Sequence, residues 1–168
     1  MLSKIKQSKQ EGFTIIEVMI VLAIAGLIMV VVFLAVPALQ RSGRNNSLNS
    51  SANNILTAVG DYASNNNGQL PTTPTLTPGS SVKFDNAAGN GNASSGAVDA
   101  SIVSVVVDAG AAPITKASPV GTVEVVKGAN AVCNSTASGL SGVASARSYV
   151  VLYVAESGSG NVLKCIGG

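Results

Sequence analysis

A run of 22 residues without a charged side chain, Val18–Leu39, constrains this chain more than any other feature. As an α-helix the run would be about 33 Å long, at about 1.5 Å per residue, which is enough to cross a hydrocarbon core of about 30 Å. Lys4, Lys6 and Lys9 precede the run. Positive charge on that side predicts a cytoplasmic N-terminus and an exported remainder. We therefore expect one membrane-spanning helix.

A cleaved secretory signal is the alternative interpretation of this run. Such signals have an apolar core of about 7–15 residues, followed by a cleavage site with small residues. Here the run is longer, and no Ala-x-Ala site lies at its end before Arg41. The composition changes instead ahead of the run, at Gly12-Phe13. A cut there would leave the apolar segment in the product.

The composition excludes several classes of function. The chain contains no histidine, which removes Ser-His-Asp and Cys-His catalysis, histidine metal ligands and imidazole pH switches. Ten Lys and Arg residues against eight Asp and Glu residues give a net charge of +2, which is too small for a nucleic-acid-binding surface. We therefore expect no enzyme activity, no catalytic residue, no cofactor, no metal and no nucleic-acid partner.

The residues around Gly12 resemble a known signal. Residues 12–24 read GFTIIEVMIVLAI. This string resembles the class III signal and N-terminal helix of type IV pilins and the related pseudopilins. In that family a short basic leader is removed after a glycine, the new N-terminal residue is N-methylated, and a glutamate lies four residues downstream. The resemblance implies a leader at 1–12, cleavage between Gly12 and Phe13, and methylation of Phe13.

Glu17 is the only ionisable residue from Phe13 to Leu39. A carboxylate within a membrane segment costs about 2.5 kcal/mol or more and usually marks a functional contact. Cleavage after Gly12 would create an ammonium group on Phe13, with which Glu17 pairs in its own chain or in a neighbouring subunit. We therefore predict that Thr14 and Glu17 act in assembly and register. The alternative is a carboxylate that only snorkels to the membrane surface.

The helix is expected to continue beyond the membrane. A transmembrane and assembly helix at 13–39 is followed by an amphipathic helix at 40–67, which ends where three asparagines and Gly68 tolerate left-handed backbone. The resemblance implies residues that weaken the helix in this segment, and Gly26 and Pro37 are the candidates. A bend is expected near Pro37. The apolar stripe of the second part consists of Leu48, Ala52, Ile55, Val59 and Tyr62.

A loop and then a sheet are expected after the helix. Residues 68–101 are rich in Gly, Pro, Ser, Thr and Asn, which predicts a connecting loop with one short strand at Ser81–Phe84. Within it, Asp85–Asn92 has oxygen ligands but no second carboxylate, so we expect a solvated loop and not a calcium site. Residues 102–168 predict an antiparallel sheet with a hairpin turn at Ser157–Gly160. Its strand candidates are Ile102–Asp108, Val120–Lys127, Ser148–Ala155 and Asn161–Ile166. The predicted fold class is α+β, a long N-terminal helix packed on a small antiparallel sheet.

Cys133 and Cys165 are the two cysteines, and both follow the membrane segment on the exported side. An even pair in an oxidising compartment predicts one disulfide, which would close a C-terminal loop as in many type IV pilins. Two free thiols in a reducing or disulfide-poor organism are the alternative. Neither cysteine lies in a Cys-x-x-Cys motif, so redox catalysis and zinc binding are not expected.

The resemblance implies a structural subunit. It would be held in the cytoplasmic membrane, cut, methylated on Phe13 and polymerised with identical subunits into a surface filament for adhesion, motility or DNA uptake. Its other partners would be the prepilin peptidase and methyltransferase, a membrane platform protein, a cytoplasmic assembly ATPase and, before assembly, the bilayer. A pseudopilin of a type II secretion or competence system is the alternative. A membrane-anchored extracellular binding domain is a third class, which the arrangement of Gly12 and Glu17 disfavours.

Processing gives the first test. Gly12→Leu is expected to leave an uncut precursor, because a small residue lets the backbone enter a protease site at the membrane face. The measurement is the mass of the membrane-bound chain and of the subunit in sheared filaments. Residues 1–12 still present on the subunit of a purified filament would refute this prediction.

Overall fold

The computed structural model of the chain describes residues 12–86, 92–107, 114–129, 131–134, 136, 138–141 and 145–167. The leader up to Glu11, most of the calcium candidate and Asp108 at the end of one strand candidate lie outside these residues. The chain divides into two compact units, Met1–Gln40 and Arg41–Gly168. One long helix, α1 (Ile15–Asn65), contributes to both.

The first unit is helical and apolar, and its described residues are exposed. Every residue from 12 to 40 is exposed, including Phe33 and Leu34 at 76% each. The helix runs without interruption through Gly26 and Pro37. It is long and apolar enough to cross a membrane, and among the residues that the structure describes none of its most apolar window is buried. This unit therefore offers apolar surface that its own chain leaves open.

The second part of α1 carries the core of the second unit. The predicted stripe from Leu48 to Tyr62 is buried, with at most 1% of any of its five side chains exposed. The helix ends as the sequence indicates, because Asn67 and Gly68 have φ values of 55° and 80°. The N–H of Gly68 donates to the carbonyl of Ala63 at 2.7 Å and satisfies one of the last carbonyl groups of the helix.

The first sheet lies where the sequence predicts a connecting loop. Its strands are β1 (Thr73–Thr77), β2 (Ser81–Asp85) and β3 (Ser94–Ala97), in the order β1-β2-β3 with antiparallel pairs. The short strand expected at Ser81–Phe84 corresponds to β2, whose Val82 and Phe84 enter the core. The prediction of a loop over 68–101 is wrong because β1 contains Pro74 and a single large apolar residue, Leu76, and β3 consists of Ser, Gly and Ala. Neither segment therefore shows the alternating apolar residues that indicate a strand.

Close approach to α1 explains how β3 forms without large side chains. A Cβ on Gly96 would lie 2.6 Å from the carbonyl oxygen of Asn54, so only glycine lets the strand lie this near the helix backbone. Ser94 donates through its hydroxyl to the carbonyl of Ala58 at 2.5 Å. The amide of Asn54 donates to the carbonyl of Ala97 at 2.9 Å. These contacts replace the apolar packing that the sequence of β3 lacks.

The second sheet has four strands in the order β4-β5-β6-β7. They are β4 (Ser104–Val107), β5 (Thr122–Lys127), β6 (Tyr149–Ser157) and β7 (Gly160–Gly167). The α+β class and the four strand candidates are confirmed, but the sheet is mixed because β4 pairs with β5 in parallel. Residues 108–121 between them are long enough for the crossover that a parallel pair needs, about a dozen residues. A two-residue turn joins β6 to β7, where the sequence predicts a hairpin.

The sheet is buried on both faces, which makes a second core. One face packs on α1, and the outer face carries the buried residues Val126, Val150, Leu152 and Val154. Ile114 and Ala131, from segments outside the sheet, belong to the same outer core. Cys133 forms a disulfide with Cys165 on β7, with a Cα–Cα distance of 5.6 Å. The disulfide thus ties the segment that follows β5 to the last strand.

Asparagine side chains of α1 hold the ends of strands and loops. The amide of Asn45 donates to the carbonyl of Glu156 at 2.7 Å and accepts from the N–H of Glu156 at 3.0 Å. Asn66 forms the same pair of bonds with the backbone of Asn92, at 3.0 and 2.8 Å. Each of these amides therefore bonds the N–H and the carbonyl of one residue, as a neighbouring strand would otherwise do.

Asn45→Ala is expected to lower the free energy of unfolding by about 1–3 kcal/mol, because a half-buried N–H and carbonyl lose their partners. Asn46→Ala is the matched control, since Asn46 is exposed on the same helix and the two substitutions gain similar helix propensity. Urea unfolding of both variants measures the difference. Equal stability of Asn45→Ala and Asn46→Ala would contradict the role given to Asn45.

Candidate functional site

The predicted cleavage site lies just ahead of α1. Gly12, Phe13 and Thr14 are not helical, and the helix begins at Ile15. Phe13 is 90% exposed, and nothing lies within 4 Å of a Cβ built on Gly12. The Gly12-Phe13 peptide bond is therefore in open, irregular backbone, the kind of segment that a protease can bind in extended form without unwinding a helix.

Thr14 and Glu17 form a reciprocal cap at the start of the helix. The backbone N–H and the hydroxyl of Thr14 donate to Oε2 of Glu17, at 2.8 and 2.7 Å. The N–H of Glu17 donates to Oγ1 of Thr14 at 3.4 Å, and the N–H of Val18 donates to the carbonyl of Thr14 at 3.3 Å. This is a capping box, in which Thr14 is the N-cap and Glu17 the third helical residue.

This cap was not predicted, although the sequence contains the signal for it. A Thr-x-x-Glu spacing directly ahead of an apolar run is the pattern of a capping box. From the sequence, Thr14 and Glu17 are expected to act in assembly and register, and Glu17 to pair with the ammonium group of Phe13 in its own chain or in a neighbouring subunit. A bond between Thr14 and Glu17 is not among those expectations. Their contact fixes the carboxylate at the first turn, where the positive end of the helix dipole also favours negative charge.

Glu17 borders an apolar surface groove of about 480 Å³. The residues that line it are Phe13, Glu17, Val18, Val21 and Leu22. Phe13 and Glu17 thus line the same groove at the start of the helix. Gly26 and Pro37 lie further along α1 and do not line this groove.

A second groove, which is polar, lies in the unit Arg41–Gly168. We call it the amide groove. It measures about 570 Å³. Its residues are Asn45, Asn46 and Asn49 of α1, Tyr153, Ala155, Glu156 and Ser157 of β6, and Val162, Lys164, Cys165 and Ile166 of β7. The hydroxyl of Tyr153 donates to Oδ1 of Asn49 at 3.2 Å, and burial raises the pKa of Tyr153. The groove is therefore lined by amides on the helix side and by mixed residues on the sheet side.

An ion pair lies beside the amide groove. Arg44 donates to both carboxylate oxygens of Glu156, through Nε at 3.1 Å and Nη2 at 2.6 Å. The hydrogen bond from Arg44 lowers the pKa of Glu156 below its ordinary value, and Arg41 adds a smaller effect of the same sign. The same bond raises the pKa of Arg44. The carboxylate of Glu156 is thereby committed to Arg44.

Neither site contains a metal-binding constellation. In the described parts of the chain, no group of three or more His, Cys, Asp or Glu side chains is placed to hold a metal ion. One buried carboxylate, Glu124, accepts from the N–H of Ile114 at 2.9 Å and so holds the segment ahead of β5 against the sheet. Its position identifies Glu124 as a structural residue.

Comparison with known proteins identifies the N-terminal segment. A family model described as the prokaryotic N-terminal methylation motif matches residues 7–33. This motif is typical of the class III signal peptides of type IV pilins, and the long apolar helix that follows it fits them. No curated protein and no solved structure gives a match. The N-terminal segment of the chain is therefore similar to the class III signal peptides of type IV pilins.

The pairing of Arg44 with Glu156 predicts a pH dependence. The pKa of Glu156 is lowered in the folded chain, so this carboxylate stabilises the fold fully above its ordinary value of 4.5 and less as the pH falls through the lowered value. Glu156→Gln is therefore expected to melt at a lower temperature than the wild type near neutral pH, with the gap narrowing as the pH falls below 4.5. Asp61→Asn, which removes an exposed carboxylate of α1, is the control.

Thermal melts of the three proteins across this pH range test the prediction. Asp61→Asn shows how much of any change comes from removing one exposed carboxylate of α1. A gap between the wild type and Glu156→Gln that is the same at acidic and neutral pH would contradict it.

Proposed function

We propose that this chain is the structural subunit of a type IV pilus. In this proposal the leader is cut between Gly12 and Phe13, Phe13 is N-methylated, and the apolar part of α1 is held in the cytoplasmic membrane before the subunit enters a surface filament. The observation that carries the proposal is the methylation motif at residues 7–33, placed directly on an apolar helix with a single carboxylate.

Exposure of the apolar helix supports the same proposal. Residues from Phe13 to Leu39 present many large apolar side chains that the chain itself leaves uncovered. Lipid tails cover such a surface before assembly, and neighbouring helices of identical subunits cover it afterwards. Because lipid is as apolar as Val and Leu, the hydrophobic effect gives little preference for the filament, and a polar contact has to provide it.

Glu17 is the residue proposed for that polar contact. Phe13 and Glu17 border the same groove. In the proposed mechanism, cleavage gives Phe13 an ammonium group, and its attraction to the carboxylate of Glu17 in a low-dielectric layer favours one axial offset between neighbours. Thr14 positions the carboxylate through the cap. Gly26 and Pro37 are proposed as points where the helix loosens, since Pro37 cannot donate a backbone bond within the helix.

The proposed cleavage, methylation and assembly imply the partners of the chain. They are a membrane peptidase and methyltransferase that act at Gly12 and Phe13, a membrane platform protein, a cytoplasmic assembly ATPase and the identical subunits of the filament. A pseudopilin of a type II secretion or competence system has the same N-terminal chemistry and is the second candidate. Electron microscopy of surface filaments, with mass spectrometry of their subunit, separates a long pilus from a short pseudopilus.

Three substitutions of Glu17 distinguish the role of its negative charge from the role of its hydrogen bonds with Thr14. Glu17→Leu removes both, Glu17→Gln keeps an oxygen that accepts from Thr14, and Glu17→Asp keeps the charge with a shorter reach. We expect all three to insert into the membrane. Glu17→Leu and Glu17→Gln should reduce filaments on the order of tenfold or more, because an ammonium group is left without its partner, and Glu17→Asp should lie between them and the wild type.

The measurement compares the subunit in the membrane fraction with the subunit in sheared filaments for each variant. Loss of filaments with Glu17→Leu but not with Glu17→Gln would assign the role to the cap and not to the charge. Filament yields at the wild-type level for both would refute the assembly mechanism.

A further inference from the structure

The end of α1 joins an asparagine directly to a glycine. Asn67 and Gly68 have φ values of 55° and 80°, a left-handed pair that terminates the helix. The side chain of Asn67 is exposed and makes no hydrogen bond with the described parts of the chain. Its amide carbon is therefore open to attack, and the residue that follows it has no side chain to obstruct the approach.

An Asn-Gly pair can undergo deamidation without an enzyme. The backbone nitrogen of Gly68 attacks Cγ of Asn67 and gives up its proton, the bond from Cγ to Nδ2 breaks, and ammonia leaves. Water then opens the resulting succinimide ring at either of its two carbonyl groups. The products are aspartate and isoaspartate at position 67, so the net reaction consumes one water and releases one ammonia.

The fold holds the nitrogen that would have to attack. The N–H of Gly68 donates to the carbonyl of Ala63 at 2.7 Å, and the N–H of Gln69 donates to the carbonyl of Asn66 at 3.0 Å. The reaction needs the nitrogen of Gly68 to lose its proton and to turn toward the side chain of Asn67, which breaks the first of these bonds. Ring closure therefore requires the last turn of α1 to open.

Hydrogen bonds of Asn66 oppose that opening. Its amide donates to the carbonyl of Tyr62 at 2.8 Å and to that of Asn92 at 3.0 Å, and it accepts from the N–H of Asn92 at 2.8 Å. The amide of Asn92 donates in return to the carbonyl of Asn65 at 3.2 Å. Because chain segments with few contacts open at little cost in free energy, these bonds determine how often the end of the helix is open.

We propose that Asn67 is a site of spontaneous deamidation and that the hydrogen bonds of Gly68 and Asn66 gate the reaction. The closed turn preserves the asparagine, and each opening exposes it to ring closure. An isoaspartate adds a methylene group to the main chain at position 67, so the bond from Gly68 to Ala63 cannot re-form with its original geometry. The modification thus makes a transient opening of the helix end permanent. It does not depend on the proposed function.

Two rates measured on the full chain in detergent test the proposal. Peptide mass spectrometry follows deamidation of Asn67 at mildly alkaline pH in the folded chain and in concentrated urea, and hydrogen exchange follows the N–H of Gly68. Folding should slow deamidation at least about tenfold, and by the same factor as it slows exchange at Gly68, because one opening controls both. Asn90, which also precedes a glycine, is the reference for the rate in urea.

Asn66→Ala separates the gate from the chemistry. This variant keeps the Asn67-Gly68 pair and loses the side-chain bonds that fasten the turn. Deamidation of Asn67 in the folded chain should therefore rise at least about threefold, while the rate in urea stays near that of the wild type. Asn46→Ala is the matched control, since it removes an exposed asparagine of the same helix far from the turn, and it should leave both rates unchanged.

Three outcomes would overturn the proposal. They are equal rates at Asn67 in the folded and the unfolded chain, equal rates in folded Asn66→Ala and wild type, and no detectable deamidation of Asn67 in urea. A chain that deamidates as expected but forms no filaments in cells would leave this inference standing and refute the pilus.

Discussion

The fold depends on one constraint, that α1 carries apolar side chains in two parts, before and after the polar residues 40–47, but only the second part has sheets to cover them. From Leu48 to Tyr62 the apolar residues form a stripe, and two sheets bury that stripe almost completely. From Phe13 to Leu39 they point in all directions, which no single sheet face can cover. One part of the helix therefore builds the core of its own chain, and the other requires lipid or other helices.

Polar side chains of α1, together with Ser94 of β3, form hydrogen bonds between the helix and the strands and loops packed on it. Asn45 and Asn66 each bond the N–H and the carbonyl of one residue across from the helix, and Asn54 and Ser94 fasten β3. An amide side chain has the same donor and acceptor as a peptide group, so it can end a strand pairing without another strand. The abundance of asparagine on α1 thus has a structural use beyond solubility.

The features that were predictable from the sequence are those with strong local periodicity. The stripe from Leu48 to Tyr62, the helix end at Asn67-Gly68 and the Val-rich strands all have patterns that backbone geometry imposes within a few residues. The first sheet was not predictable, because Gly96 is explained only by its distance to the carbonyl of Asn54, a residue far away in sequence. The parallel pairing of β4 with β5 and the amide groove are likewise products of tertiary contacts.

The cap formed by Thr14 and Glu17 also sets a tether length. In a processed chain only Phe13 would precede the N-cap, because α1 begins at Ile15. Phe13 and Thr14, the two residues ahead of α1, together span at most about 7 Å even when fully extended. The terminal amine is consequently confined to a small volume around the first turn of the helix. An enzyme that modifies the amine, or a neighbouring subunit that binds it, therefore meets a group with little freedom to move.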